Sequence, residues 1–295
     1  KSGIWFVDLR RSTNLSHALD GWYSPEGLLT LLKRDEVEAH KQLEHEPFEF
    51  GFPLRNYQRD AIRAVEDKIA KGERNMLVAM ATGTGKTKTC IALIYRLLKV
   101  KRFKRILFLV DREALGEQAA NAFKDTRMDA IQAFSDIFGV MELDQQKPET
   151  ETAVHIATVQ GMVKRVLYPG ANQTVPTVDQ YDCIVVDECH RGYLLDREMS
   201  DKELAFRSYE DYISKYRRVI DYFDAVKIGL TATPALHTSE IFGLPVYTYS
   251  YRDAVIDGYL IDHEPPIQIR TKLSEAGIKW KAGEDVKLYY PRRNE

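Results

Sequence analysis

Residues 76–98, MLVAMATGTGKTKTCIALIYRLL, join an apolar run to an amphipathic helical pattern through Thr82, Gly83, Thr84, Gly85, Lys86 and Thr87. A join of this kind admits few architectures. Glycines let backbone N–H groups converge where a Cβ would intrude. A helix that begins at the same point turns its positive end toward it. The stretch therefore reads as a strand-to-helix bend that holds phosphate. Thr82, Gly83, Thr84 and Gly85 form the cradle, Lys86 reaches the β- and γ-phosphates, and the Thr87 hydroxyl ligates Mg2+. The expected ligands are ATP and Mg2+. The loop departs from G-x-x-x-x-G-K-[ST] at its first glycine position, which holds Met80.

The same kind of apolar run recurs at 105–110, 153–158, 183–188 and 226–232. Each is nearly continuous rather than alternating, as in parallel strands covered on both faces. Helical patterns lie around and between them at 57–71, 86–99, 112–124, 160–167 and 210–223. Strands alternating with helices imply an α/β fold with a doubly wound and mostly parallel sheet. Ahead of this pattern, Ser24, Pro25 and Glu26 mark a helix start, and EPFEFGFP at 46–53 interrupts the helical pattern. The expected divisions are 1–50 as the end of a preceding domain and its linker, 51–262 as one nucleotide-binding lobe, and 263–295 as a connection onward.

A phosphate loop needs a carboxylate at the end of a neighbouring strand. CIVVDECH supplies Asp187 to hold Mg2+ and Glu188 to orient and deprotonate an attacking water. His190 reads either as a solvated loop residue or as a relay between the nucleotide and a neighbouring loop. Phe52 and Arg55 either pack on adenine or brace a helix start. The chain is 44% hydrophobic and 29% charged, which excludes a disordered chain. No apolar run approaches the roughly 18 residues of a membrane helix, so no membrane partner is expected. The three cysteines, Cys90, Cys183 and Cys189, form no C-x-x-C pair and fit a reducing cytoplasm. A net charge of -2 gives no compositional support for nucleic-acid binding, although a local basic stripe suffices for it.

Six stretches in order resemble helicase superfamily 2, the DEAD/DEAH-like ATPases. They are FPLRNYQRDAI (52–62), MATGTGKT (80–87), LFLVDREALGEQ (107–118), IATVQGM (156–162), DECH (187–190) and LTATP (230–234). The resemblance implies that Gln58 reads the adenine edge, that Arg112, Thr158 and Gln160 face a nucleic-acid backbone, and that Thr231 and Thr233 couple the two activities. DECHRG, GLPVYTYSYRDAVIDGYLID (243–262) and the upstream SGIWFVDLRRS and WYSPEGLLTLL narrow the likeness to the motor (R) subunit of Type I restriction-modification enzymes. That subunit carries an N-terminal nuclease domain, two RecA-like lobes and a helical region. It translocates duplex DNA with ATP and works with methyltransferase and specificity subunits. A Type III restriction subunit or an RNA helicase is the alternative within the superfamily; a scaffold that binds the nucleotide without turnover is the alternative outside it.

Two expectations follow from what is not found. No second lobe with an arginine finger is recognisable, so residues 1–295 are expected to bind ATP but hydrolyse it poorly. No nuclease centre is recognisable either. EDK (66–68) reads as a solvated helix face and DVK (285–287) as structural. The basic run RLLKVKRFKR (96–105) reads as cations at a helix C-terminus, with DNA phosphate contact as the alternative. Tyr212, Tyr216 and Phe223 read as core packing.

Overall fold

The structure, a computed structural model, describes residues 4–7, 17–19, 21–128, 132–142, 148–149, 151–170, 175–189, 209–234 and 236–262. The chain begins with a two-stranded antiparallel ribbon, β1 (Ile4–Phe6) and β2 (His17–Leu19). Two helices follow, α1 (Pro25–Lys33) and α2 (Glu36–His45). The remaining elements run α3 (Asn56–Ala70), β3 (Asn75–Met80), α4 (Lys86–Lys99), β4 (Ile106–Val110), α5 (Glu113–Asp125), α6 (Phe134–Ile137), β5 (Gly139–Met141), β6 (Thr152–Thr158), α7 (Val159–Leu167), β7 (Cys183–Val186), α8 (Tyr209–Tyr222), β8 (Val226–Thr231), α9 (Leu236–Phe242), β9 (Pro245–Tyr249) and α10 (Tyr251–Ile256). All of them belong to one compact unit, Lys1–Leu260. Residues 263–295, expected as a connection onward, lie outside the described residues.

β3 to β9 form one seven-stranded sheet in the order β5-β6-β4-β7-β8-β3-β9, and every pairing is parallel. The apolar runs are continuous because both faces are covered. On one face Val78, Met80, Phe108, Val110, Val185 and Leu230 pack with α3, α4 and α5. On the other, Leu77, Leu107, Leu109, Ile184 and Val186 pack with α7, α8 and α9. Alternate side chains along each strand thus enter different cores, which is the doubly wound arrangement expected from the sequence. Tyr216 and Phe223 are buried in the second core, as their core reading requires, while the Tyr212 side chain lies outside what the structure describes.

Two strands of the seven-stranded sheet have no counterpart among the apolar runs. β5 has three residues and sits at one edge. β9 closes the other edge, begins at Pro245 and keeps most of its side chains partly exposed. Edge strands tolerate proline and do not produce an unbroken apolar run.

α1 and α2 cover the N-terminal ends of the strands. Ser24 caps α1, accepting from Gly27 N at 3.0 Å, and its own N–H and hydroxyl donate to Asp179 at 2.7 and 2.6 Å. Tyr23 and Arg74 both bond Asp224, and Arg34 pairs with Asp182. α2 buries Ala39 and Leu43 in the first core.

Candidate nucleotide-binding site

Because the seven strands run the same way, their C-terminal ends share one edge, where open parallel sheets take their ligands. In sheet order, Thr158 and Gln160 follow β6, Arg112 follows β4, and Asp187 and Glu188 follow β7. Thr231 ends β8, Thr233 comes just after it, and the 82–87 loop follows β3. Only β8 separates β7 from β3. Across it, Lys86 Nζ comes 3.3 Å from Glu188 Oε1. Lys86 opens α4 and is 8% exposed, so its ammonium sits in a largely water-excluded place.

The loop has a left-handed backbone at Gly83 (φ +83°) and Gly85 (φ +81°). Side chains there would be strained and crowded: a Cβ on Gly85 would meet Gln58 Nε2 at 2.6 Å. The loop is held from behind. Thr84 is buried, and its hydroxyl donates to Ala81 O at 2.6 Å. The Thr84 carbonyl accepts from Tyr57 OH at 2.8 Å and from Gln58 Nε2 at 3.0 Å. Gln58 Oε1 in turn accepts from Arg55 N at 2.9 Å, closing the start of α3. Gln58, expected at the adenine edge, therefore braces the phosphate loop in this structure. Arg55 braces the same helix start and donates from its guanidinium to Tyr57 OH at 3.1 Å. Nothing in the sequence marks Tyr57 for this part. It sits one residue ahead of Gln58, and only its burial in the fold reveals its part.

The β7 turn is strained and strapped. Glu188 has φ +46°, uncommon for a residue with a Cβ. Asp187 N donates to Leu109 O at 3.0 Å, Glu188 N to Asp187 Oδ1 at 2.9 Å, and Cys189 N to Leu230 O at 2.9 Å. Such backbone persists when its surroundings over-determine it and is concentrated at active sites. The charge of Asp187 reaches α4: burial first, then Asp187 and Cys183, push the Cys90 thiol pKa well up. Thr231 is fully buried, and its hydroxyl accepts from Thr233 N and donates to Thr233 O, both at 3.1 Å. Thr158 Oγ1 caps α7 by accepting from Gly161 N at 3.0 Å. Arg112 is exposed and Gln160 half-buried. Thr82 is exposed and Thr87 half-buried. His190 lies outside the described residues.

The donor set near the loop is a hydroxyl, Thr87, and a carboxylate, Asp187. Hard oxygen donors suit Mg2+, which takes one or two protein carboxylates and completes its shell with phosphate and water. Among the described residues no group of three or more His, Cys, Asp or Glu side chains could hold a metal alone. The site fits an ion that arrives with a phosphate.

One sequence expectation needs correction. Glu66 is not on a solvated face. It is 6% exposed and receives Arg96 Nε at 2.7 Å and Nη2 at 3.1 Å. Burial raises the Glu66 pKa, with Arg96 opposing it. The basic run at 96–105 places Arg96 and Lys99 in the last turn of α4, as expected for cations at a helix C-terminus, and several of its side chains are further paired within the fold. Arg96 also donates to the carbonyls of Leu43, Glu46 and Pro47. Lys99 pairs with Glu46, Arg102 with Glu36 at 3.2 Å, and Arg105 donates to Thr152 O at 2.9 Å.

An all-parallel α/β lobe with a glycine-rich loop after one strand and a carboxylate turn facing it is built as the doubly wound α/β proteins are. Comparison with known proteins narrows this. The family described as "Type III restriction enzyme, res subunit" matches residues 51–236, and the chain belongs to it. Residues 1–32 match a second family, "Type I restriction enzyme EcoKI endonuclease subunit second domain". The chain is 53% identical to the Type I restriction enzyme EcoKI endonuclease subunit of Escherichia coli (strain K12), over 99% of this chain and 25% of that protein. It is 35% identical to the EcoAI endonuclease subunit of Escherichia coli, over 72% of this chain and 24% of that protein. The UvsW helicase of bacteriophage T4 superposes with a TM-score of 0.44 and 17% identity, covering 74% of this chain and 68% of that one. The expected likeness to the R subunit of Type I restriction enzymes holds. The chain spans about a quarter of the length of these curated relatives (25% and 24%).

Proposed function

We propose that this chain is the ATP-binding motor lobe of a Type I restriction enzyme R subunit, driving translocation of duplex DNA in the full-length protein. The observation that carries the reading is the 3.3 Å approach of Lys86 to Glu188 between two strand ends. A triphosphate in the 82–87 loop takes the Lys86 ammonium into its own charge. That releases the Glu188 carboxylate to orient water and take its proton. Thr87 and Asp187 are the residues to hold Mg2+, whose chemistry when bound is neutralisation of phosphate charge. His190 is the relay toward the neighbouring loop.

The Thr231–Thr233 turn ends β8, the strand between the two halves of the site, and is the coupling element. Arg112, Thr158 and Gln160 follow the next strands, β4 and β6, and are the contacts to the DNA backbone. Arg55 belongs to the nucleotide's base end, and Gln58 links that end to the loop through the Thr84 carbonyl. The 53% identity to an endonuclease subunit supports methyltransferase and specificity subunits as partners and a cytoplasmic setting. No described helix is long and apolar enough to cross a membrane.

The test is ATP turnover by the full-length protein. Duplex DNA should stimulate it, RNA should not, and Lys86→Ala should abolish it. Stimulation by RNA alone would overturn the reading in favour of an RNA helicase. Turnover that survives Lys86→Ala would remove the site from the reaction.

A further inference from the structure

The segment after β9 carries an aromatic side chain, Tyr259, against the tyrosine that braces the phosphate loop. Its geometry is built locally. Ser250 caps α10, accepting from Asp253 N at 3.2 Å, while Asp253 Oδ2 accepts from Ser250 N at 2.9 Å. At the other end Gly258 has φ +74°, Gly258 N donates to Val255 O at 3.0 Å, and Tyr259 N donates to Ala254 O at 2.8 Å. These paired bonds are a Schellman stop. They fix the direction of the two residues that follow the glycine.

Both of those residues reach the site. A Cβ on Gly83 would meet Leu260 Cδ2 at 3.2 Å, so Leu260 lies directly against the phosphate loop. The ring of Tyr259 meets Tyr57 edge-on with centroids 5.3 Å apart, and Tyr57 is the residue that donates to Thr84 O. The Arg55 guanidinium lies over the Tyr259 ring, 4.2 Å from its centroid. Arg55 is exposed and Tyr259 is 40% exposed, so this stacked pair faces solvent beside a loop shaped for phosphate. A flat cation on an aromatic face is the arrangement into which a purine fits. Tyr57 cannot serve in its place. It is 5% exposed and already stacked on Tyr249, with centroids 3.9 Å apart and planes 7° apart.

We infer that Tyr259, with Arg55 as the opposing plane, is the base-stacking residue that gives the site its grip on the purine of a nucleoside triphosphate. The long, exposed Arg55 side chain swings out by about the 3.5 Å thickness of a stacked ring to admit the base. Tyr259 stays in place because the glycine stop and the Tyr57 ring hold it. The inference rests on the nucleotide reading above, and its experiment separates the two.

The probe is a fluorescent N-methylanthraniloyl-ATP with Mg2+ bound to the 295-residue chain and displaced by ATP or by inorganic tripolyphosphate, which has no base. Tyr259→Ala should weaken displacement by ATP about three- to tenfold and leave tripolyphosphate unchanged. Tyr259→Phe should match the wild type with both competitors. Unchanged tripolyphosphate binding also reports that the variant's loop is folded. The inference is overturned if Tyr259→Ala leaves ATP competition untouched. It is equally overturned if ATP and tripolyphosphate weaken together, for Tyr259 would then act through Tyr57 or Leu260 on the loop. A wild-type chain that binds neither competitor overturns the nucleotide reading itself, and this inference with it.

Discussion

His155 sits midway along β6, the strand beside the β5 edge, fully buried, with Nδ1 bonded to Tyr181 OH. Burial first, then the charges of Arg165 and Arg105, lower its pKa from 6.5 to about 3. The unfolded chain takes up a proton below pH 6.5 that the folded chain refuses until about pH 3. The stabilising contribution of neutral His155 is therefore complete above pH 6.5 and lost progressively as pH falls toward 3. The slope from this residue is at most about 1.4 kcal/mol per pH unit. Urea unfolding at a series of pH values should show the wild type losing stability on acidification faster than His155→Gln. Parallel curves for the two proteins would contradict the assignment. Nothing in AVHIATV announces this histidine, because a strand periodicity cannot distinguish a polar side chain that faces a core from one that is misplaced in a run. For the same reason Glu66 reads as solvated in its helix: its partner Arg96 lies on a different helix and is 1% exposed.

Elements whose ends carry local chemistry were legible, and those held by distant contacts were not. Ser24 and Pro25 mark the start of α1 in the sequence as they do in the fold, and the TGTGKT bend opens α4 at Lys86 as expected. The Asp179, Asp182 and Asp224 contacts that hold the segment around α1 have no sequence signature, since their partners are more than a hundred positions away. α10 has a legible stop at Gly258, but what the stop aims becomes visible only once β9 lies beside β3. Gly258→Ala places a Cβ in a left-handed position and should cost about 1 kcal/mol of stability. Thermal unfolding gives the cost. A variant as stable as the wild type would show that the glycine does not fix the turn. A cost without any change in tripolyphosphate affinity is the expected pattern, because the phosphate loop is braced independently by Tyr57 and Gln58.

At the scale of the whole molecule, a parallel sheet brings every strand's C-terminal end to one edge, so the order of strands decides which loops meet. The sequence showed the loops and their order along the chain. It did not show that β8 would lie between β7 and β3, nor that β9 would close the far edge beside the phosphate loop. The resulting edge carries the Lys86–Glu188 pair at one part and the Arg112 and Thr158 positions at another, with the Thr231–Thr233 turn inside the nucleotide half. The central claim is that this edge grips a triphosphate through Lys86. Calorimetric titration of ATP and Mg2+ into the chain tests it most directly. Wild type and Glu188→Gln should both bind ATP, and Lys86→Ala should lose measurable binding while keeping the wild-type circular dichroism spectrum. Equal ATP affinity in wild type and a folded Lys86→Ala would contradict the account.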